Sequence, residues 1–470
     1  MRKNVGYSVI VYDDNNKSCE TVIVSSCRGL NGDRFQQYEQ YCTAVKAGKW
    51  SFTMTYVEFF DKIASENISA CLTYVPDRVI YIGDDYKVMN KHIVNYNKVF
   101  SERGYNIEFI AKSVSKSNLE NAVKLLSEIV EAYDDCVFDI TGGEEILNLA
   151  LGVVYSKYPD KNIQIHKFNL RNNAIYDCDK DGKTIYKETP TLSIDENIRI
   201  YGGEVVYGTV DEENTYKWDL NSEFLNDINL IWNKCKEDVR YWNVQMGIFD
   251  AAENVGRSTE KLTTVASIAE IERCLAKNRA KYKIAKGIIN YLIEHGLITY
   301  FEDDGKTLTV SYKNEQVKRC LTKAGQALEM KVYITAKNIF ENTGAPVYDD
   351  ILNGVVIDWD GEFHDENVEN VYDTENEIDI MMMHDIVPVF VSCKSGVVTS
   401  DELYKLNTVA ERFGGKYAKK VLVAASLSEM GEAGEYIRQR AKDMKINLIE
   451  DIQDMSDEKL KKKLRTVWCN

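Results

Sequence analysis

A chain of 470 residues, 44% hydrophobic and 28% charged with only 5 prolines and 27 glycines, reads as an ordered globular protein and excludes disorder and fibrous repeats. At ~150 residues per domain the length predicts about three domains. Lysine and arginine number 58 against 74 acids, a net charge of −16, which excludes an electropositive coat for nucleic acid and leaves such a ligand to be held only locally. No apolar run reaches the ~18 residues of a membrane span, and the N-terminus carries no signal-peptide core, so the expectation is a cytoplasmic chain without a membrane partner.

In chain order, the first part alternates strands and helices, the pattern of a mostly parallel sheet covered on both faces. Strands are predicted at Thr21–Ser26, Arg78–Ile82, Asn106–Ile110, Asp135–Ile140 and Asn162–Phe168. Apolar residues at helical spacing predict helices over Lys87–Glu102 and Asn118–Tyr133, the second behind a cap at Ser117-Asn118. Asn169–Lys187, with Asp181-Gly182, reads as a closing hairpin. The character shifts after Tyr201-Gly202-Gly203. Asn221–Val255 is helical and aromatic-rich, and Trp232 and Trp242 at that spacing fill a core or a dimer seam more readily than they stack bases.

A helix over Ile284–Leu297, a hairpin through Ile298–Tyr312 with its turn at Glu302–Lys306, and a further helix suggest a winged-helix module. Lys277, Arg279, Lys281, Lys283 and Lys286 give it a basic stripe that could face DNA, although its wing is acidic and a spacer role is favoured. The remainder returns to mixed α/β, with a helix from Thr322 to Phe340, strands at Gly354–Trp359, Glu377–Met382, Val387–Lys394 and Lys420–Ala425, and a helix near Asp401–Phe413. The expected division is 1–205, 206–320 and 321–470.

The 11 cysteines contain no CxxC pair and several lie in apolar runs, so they are expected as buried thiols, and His384 as a packing residue. The tail Lys459–Arg465 reads first as a solvated helix end.

Two places carry candidate chemistry. Asp139-Ile140-Thr141-Gly142-Gly143-Glu144-Glu145 stands where a buried strand hands over to a helix, so unpaired N–H groups, the Thr141 hydroxyl and close approach at Gly142 and Gly143 could hold a phosphate or ribose. A plain tight turn explains the glycines equally well. Ligands of open α/β sheets bind beyond the carboxyl ends of strands, which adds Ser25, Ser26 and the turn at Asp84 to the candidates.

Near the other end, strand alternation puts Glu377 and Asp379 on one face and Ser392 and Lys394 on one face. If these strands pair as a hairpin, Asp379 and Lys394 converge, with Glu329 on a preceding helix as a third carboxylate. Acids that hold a divalent cation beside a lysine are what metal-dependent phosphodiester cleavage requires. A solvated strand face with an edge lysine remains the other reading.

Asp139-Ile140-Thr141-Gly142-Gly143 in a Rossmann-like domain resembles the signature of CARF domains, the cyclic-oligoadenylate sensors of type III CRISPR defence. Glu329, Asp379 and Ser392-Cys393-Lys394 resemble the PD-(D/E)xK nuclease fold found in CARF effectors. The resemblance implies an α/β chain made of a Rossmann-like CARF domain, a helical and winged-helix-like connector and a restriction-endonuclease-like domain. It further implies a cytoplasmic prokaryotic homodimer in antiviral defence, activated by cyclic tetra-adenylate, that cuts or nicks DNA or single-stranded RNA with little sequence preference. Two departures stand out: Glu144-Glu145 where Thr-Lys is common, and Ser392 where the triplet has an acid. Asp379, Glu329 and the main chain at Cys393 are then expected to hold Mg²⁺ or Mn²⁺, with Glu377 as replacement, and Lys394 to stabilise the attacking hydroxide or the phosphate. The alternatives are a ligand-responsive winged-helix DNA-binding regulator with an inactive nuclease-like domain, and an enzyme that opens the activator ring.

Overall fold

A computed structural model describes residues 7–12, 18–24, 54–170, 174–178, 184–186, 190–208, 214–277, 279–361 and 375–469. Strands β1 (Tyr7–Tyr12) and β2 (Ser18–Val24) form an antiparallel pair of their own. The run predicted at Thr21–Ser26 therefore belongs to that pair and not to the parallel sheet. Ser25 and Ser26 lie outside the described residues.

The sheet is built on β3 (Thr55–Phe59), a strand that the sequence reading missed because Glu58 interrupts its apolar run. There follow α1 (Ala64–Tyr74), β4 (Arg78–Gly83), α2 (Tyr86–Glu102), β5 (Glu108–Ser113), α3 (Leu119–Ala132), β6 (Asp135–Asp139), α4 (Glu145–Lys157), β7 (Asn162–Asn169), β8 (Ala174–Asp177) and β9 (Thr184–Tyr186). The strand order is β5-β4-β3-β6-β7-β8-β9, parallel through the first five and closed by the expected antiparallel hairpin, whose Asp181-Gly182 lies outside the described residues. Helix starts follow local chemistry. The Asp85 carboxylate accepts from the Lys87 and Val88 N–H groups, and Asn118 accepts from Asn121.

Alternation along β3 sends Val57 and Phe59 to one face, against Leu126 of α3 and Leu147 and Leu151 of α4. Tyr56 points to the opposite face, whose core runs from α1 and α2 on to Leu403 and Phe413 of the C-terminal part. The N-terminal sheet and the C-terminal sheet thus share one continuous apolar core.

Helix α5 (Ile194–Ile200) opens with a complete capping box between Ser193 and Glu196. It leads into β10 (Glu204–Val205), which pairs with a strand of the C-terminal sheet, so the chain crosses into that domain just before the expected boundary at 205. Next come α6 (Ser222–Cys235), α7 (Val239–Val255), β11 (Arg257–Glu260), β12 (Thr263–Ser267), α8 (Ile268–Lys277), α9 (Lys286–Glu294), β13 (Ile298–Asp303), β14 (Thr307–Tyr312) and α10 (Glu315–Thr322). Their sheet, ordered β11-β12-β14-β13 beside the helices, has the helix-then-hairpin layout predicted from the sequence. Trp232 and Trp242 are buried in its core.

The last part holds α11 (Gln326–Lys337), β15 (Asp350–Asp358), β16 (Glu375–His384), β17 (Val387–Lys394), α12 (Ser400–Gly414), β18 (Lys419–Ala424), α13 (Glu432–Asp443), β19 (Ile446–Ile449) and α14 (Asp457–Arg465). Its six strands run β10-β15-β16-β17-β18-β19, antiparallel up to β17 and parallel beyond it. His384 bonds the Val347 carbonyl and stacks on Trp468, the packing role expected of it. In α14, Lys461 pairs with Glu458 and Arg465 with Glu341, as a solvated helix end does. No described helix is long and apolar enough to cross a membrane.

Candidate functional site

The hairpin β16–β17 sets Ile380 opposite Val391, and continuing that register one step brings Asp379 and Ser392 to the same side. Asp379 Oδ2 accepts from the Cys393 backbone N–H at 2.6 Å and from the Ser392 hydroxyl at 3.1 Å. Asp379, Ser392 and Lys394 line one cavity of about 320 Å³, together with Glu377 on the β16 side and Glu402 on α12. The two decisive side chains at 379 and 394 therefore face the same space.

Electrostatics tie the group together. Burial raises the Asp379 carboxyl above its ordinary range, while Lys394 pulls it back down. Burial alone would lower the Lys394 ammonium, but Asp379 and its 2.9 Å ion pair with Glu402 more than offset that and hold it above its usual value. Glu329 stands behind the cavity on α11, 4% exposed, where it accepts from the Gln326 and Asn353 amides at 3.2 and 3.4 Å. Asn353 also donates to the Asp379 carbonyl at 2.8 Å and so links the two acids. Burial first, and then the Asp379 charge, push the Glu329 carboxyl up to about 8.

Two neighbouring buried carboxylates, both raised by burial and Glu329 further by the charge of Asp379, have the donor chemistry that a hard divalent cation relieves. Asp379, Glu329 and the main chain at 393 fit such an ion in kind, although among the described residues no three His, Cys, Asp or Glu side chains already converge as a metal-binding group. Glu377 is engaged elsewhere, in an ion pair with Lys323. The Cys393 thiol, buried and facing the charges of Asp379 and Glu329, is driven well above its ordinary range, so it stays a protonated packing group.

Sequence reasoning missed two residues here. Lys323, just after α10, brings a second cation against Glu377, within the field of Glu329 and Asp379. Glu402 places a carboxylate beside Lys394 where the triplet position holds Ser392. Neither gives a local signal, because a charged residue at a helix end looks the same wherever the chain later carries it.

At the other candidate site the strand order reverses between β3 and β6, so the loops after these strands face one crevice. Asp139, fully buried at the end of β6, accepts from the Thr141 N–H at 2.7 Å, from the Thr141 hydroxyl and from the Tyr56 hydroxyl at 3.1 Å. The Thr141 oxygen in turn accepts from the Phe168 N–H at 2.6 Å. The hydroxyl proposed for a ligand thus spends its proton on Asp139, and Thr141 serves by fixing the turn.

Gly143 sits at φ +84°, and a Cβ there would collide with Phe59; a Cβ on Gly142 would come within 2.8 Å of the Asp61 Cβ. Both glycines are needed for this close approach to the end of β3. Gly143→Ala is expected to destabilise the chain by about 2–5 kcal/mol through combined backbone strain and overpacking, read as a lower denaturant midpoint. An unchanged midpoint would show that the turn can relax.

Asp84 and Glu144 are bridged by Lys116, which reaches across from the loop after β5 at 3.1 and 2.7 Å. This lysine, also missed in the sequence, answers the Glu144 departure by setting a cation between the carboxylates. Glu144 occupies the cap position of α4 without a side-chain hydrogen bond to it, so its carboxylate does not close the helix start.

No protein-family model and no curated protein matches the chain. Solved structures do. Can2 from Sulfobacillus thermosulfidooxidans, solved in complex with cyclic tetra-adenylate, superposes with a TM-score of 0.60 at 15% identity, over 88% of this chain and 98% of its own. Protein VC1899 from Vibrio cholerae superposes with a TM-score of 0.63 at 17% identity, over 88% and 96%. The chain has their fold. A type III CRISPR defence DNA nuclease activated by cyclic oligoadenylate aligns over 79% of this chain and 45% of its own, with a TM-score of 0.43 at 14% identity, too loosely to carry an argument. Because the first two superpositions run nearly end to end, the order of N-terminal sheet, helical module and C-terminal sheet belongs to the shared fold.

Proposed function

We propose that the chain is a homodimeric, metal-dependent nuclease held inactive until a cyclic oligoadenylate, best fitted by tetra-adenylate, occupies the N-terminal crevice. The observation that carries this reading is the single cavity in which Asp379, Ser392 and Lys394 meet, in a chain with the fold of a protein solved with cyclic tetra-adenylate. Mn²⁺ or Mg²⁺ held by Asp379 and Glu329, with the main chain at 393, would supply an activated water and neutralise the scissile phosphate. Lys394 supplies fixed positive charge beside that position, kept protonated by Asp379 and Glu402. Ser392 donates to Asp379 and orients its carboxylate, a positioning role in place of the missing acid. The substrate class is DNA or single-stranded RNA, cut with little sequence preference, and the cell compartment is the cytoplasm.

In the N-terminal crevice, Gly142 and Gly143 hold the turn against the end of β3, and Lys116 is the cation that exchanges Asp84 and Glu144 for ligand phosphate. A four-fold ring can itself obey the two-fold axis of a dimer. Calorimetric titration with cyclic tri-, tetra- and hexa-adenylate tests this half of the reading. Tetra-adenylate should bind, and Lys116→Glu should weaken it at least ~10-fold by turning an attraction for phosphate into a repulsion. Absence of binding by all three rings would reject the sensor role.

A further inference from the structure

Between Arg273 and Lys286 the chain carries six cations, Arg273, Lys277, Arg279, Lys281, Lys283 and Lys286, and no acid, in a protein of net charge −16. All six side chains are exposed, and among the described residues none of them has an ion-pair partner. The apolar residues of the same stretch point the other way. Leu275 and Ala285 are buried, and the half-buried Ile284 packs against the module core.

The segment is fixed at several points. The Ala280 N–H bonds the Leu275 carbonyl at 3.0 Å, the Tyr282 hydroxyl donates to Asp303 at 2.9 Å, and the Ala285 N–H donates to the buried Gln245 side chain at 2.8 Å. This order keeps the six cations exposed to solvent before any partner arrives. The same module frames the C-terminal cavity. Asn243 of α7 donates to the carbonyl and hydroxyl oxygens of Ser395, next to Lys394, each at 3.1 Å, and Lys323 closes on Glu377.

We propose that Arg273–Lys286 is a track for the phosphate backbone of nucleic acid and feeds substrate toward the C-terminal cavity. A protein partner would need apolar anchors at the centre of its interface, and no large apolar side chain of this stretch is exposed. Phosphate needs only unpaired cations on a fixed frame. Tyr282, the aromatic residue of the stretch, is committed to Asp303, which leaves the track without a base-stacking or base-reading group and makes it indifferent to sequence. The wing carboxylates keep their charge but cap their own turn and form no ion pair with the six cations among the described residues. Asp304 accepts from the Lys306 and Thr307 N–H groups, and Asp303 from the Gly305 N–H, as turn caps.

The proposal rests on the phosphodiester-cleaving reading of the cavity, and the test separates the two. Anisotropy of fluorescent single-stranded DNA, single-stranded RNA and duplex, each in two sequences, is measured with the full chain in EDTA from 50 to 200 mM salt. The variant Lys277→Gln/Arg279→Gln/Lys281→Gln/Lys283→Gln is expected to lose at least ~10-fold in affinity at 50 mM for every sequence. Its slope of log K against log salt on single strands should fall by roughly 0.7 per cation removed. Lys461→Gln/Lys462→Gln in α14 should change neither, and retained titration of cyclic tetra-adenylate shows that the four-site variant is folded. Wild-type protein that binds none of these nucleic acids, or a four-site variant with unchanged affinity and slope, overturns the track. Failure of the nuclease reading would appear elsewhere, as absent cleavage by the wild type with metal and activator.

Discussion

Asp379→Ala and Lys394→Ala are each expected to cut phosphodiester cleavage at least ~10²–10³-fold, the loss typical of removing a group that stabilises developing charge in a water-poor site. The structure makes the two losses different in kind. Asp379 accepts from the Cys393 N–H and the Ser392 hydroxyl, so its removal frees two donors and takes away the carboxylate best placed for a cation. Lys394 is paired with Glu402, so its removal leaves an unbalanced acid on the cavity wall where phosphate must approach. Cleavage assays at saturating Mn²⁺ should therefore recover part of the Asp379→Ala loss and none of the Lys394→Ala loss. Binding of cyclic tetra-adenylate, measured in parallel, should be unchanged in both. Near-wild-type cleavage by either variant would remove this cavity from the chemistry.

Glu58→Gln is expected to raise the thermal midpoint clearly at pH 8 and to leave it nearly unchanged at pH 4. Glu58 is fully buried on β3, neither of its carboxylate oxygens has a hydrogen-bond partner, and it lies opposite Asp139 in register. Burial first, and then the charges of Asp139, Glu66 and Asp61, push its carboxyl well above the ordinary range. An acid whose folded pKa exceeds its unfolded one binds its proton more tightly when folded. Its contribution to stability is complete below the unfolded value near 4 and falls as pH rises toward the folded one. Asp139, raised to about 6 chiefly by burial, acts in the same direction. Amide replacement removes the cost of ionising position 58 and so shows its gain only where the wild type has begun to pay it. Scanning calorimetry across pH 4 to 8 reads the difference, and a gain independent of pH would mean that position 58 ionises alike in the folded and unfolded chains.

The same two sites show what the sequence discloses and what it hides. β17 was legible because an unbroken apolar run ends at Ser392-Cys393-Lys394, and β16 because its acids alternate with apolar residues at Ile378 and Ile380. Two-residue periodicity put Glu377 with Asp379 and Ser392 with Lys394 on one face of their own strands, and the hairpin register of β16 and β17 brings the two faces together. β3 was not legible, since a buried glutamate in a central strand imitates the pattern of a loop, and the apolar run at Thr21–Val24 took its place in the reading. Lys116, Lys323 and Glu402 are charged residues next to helix starts and ends, where such residues are common for local reasons, and their partners are set only by tertiary structure. Thr141 was legible by its turn chemistry, while the bond its hydroxyl makes to Asp139 two residues earlier was not.

The most direct measurement is single-turnover cleavage of labelled single-stranded RNA and supercoiled plasmid, with the full chain in four mixtures: with and without cyclic tetra-adenylate, and with Mn²⁺ or EDTA. The account predicts cutting only in the mixture that holds both activator and metal. Equal cutting without activator, or cutting in EDTA, would contradict it.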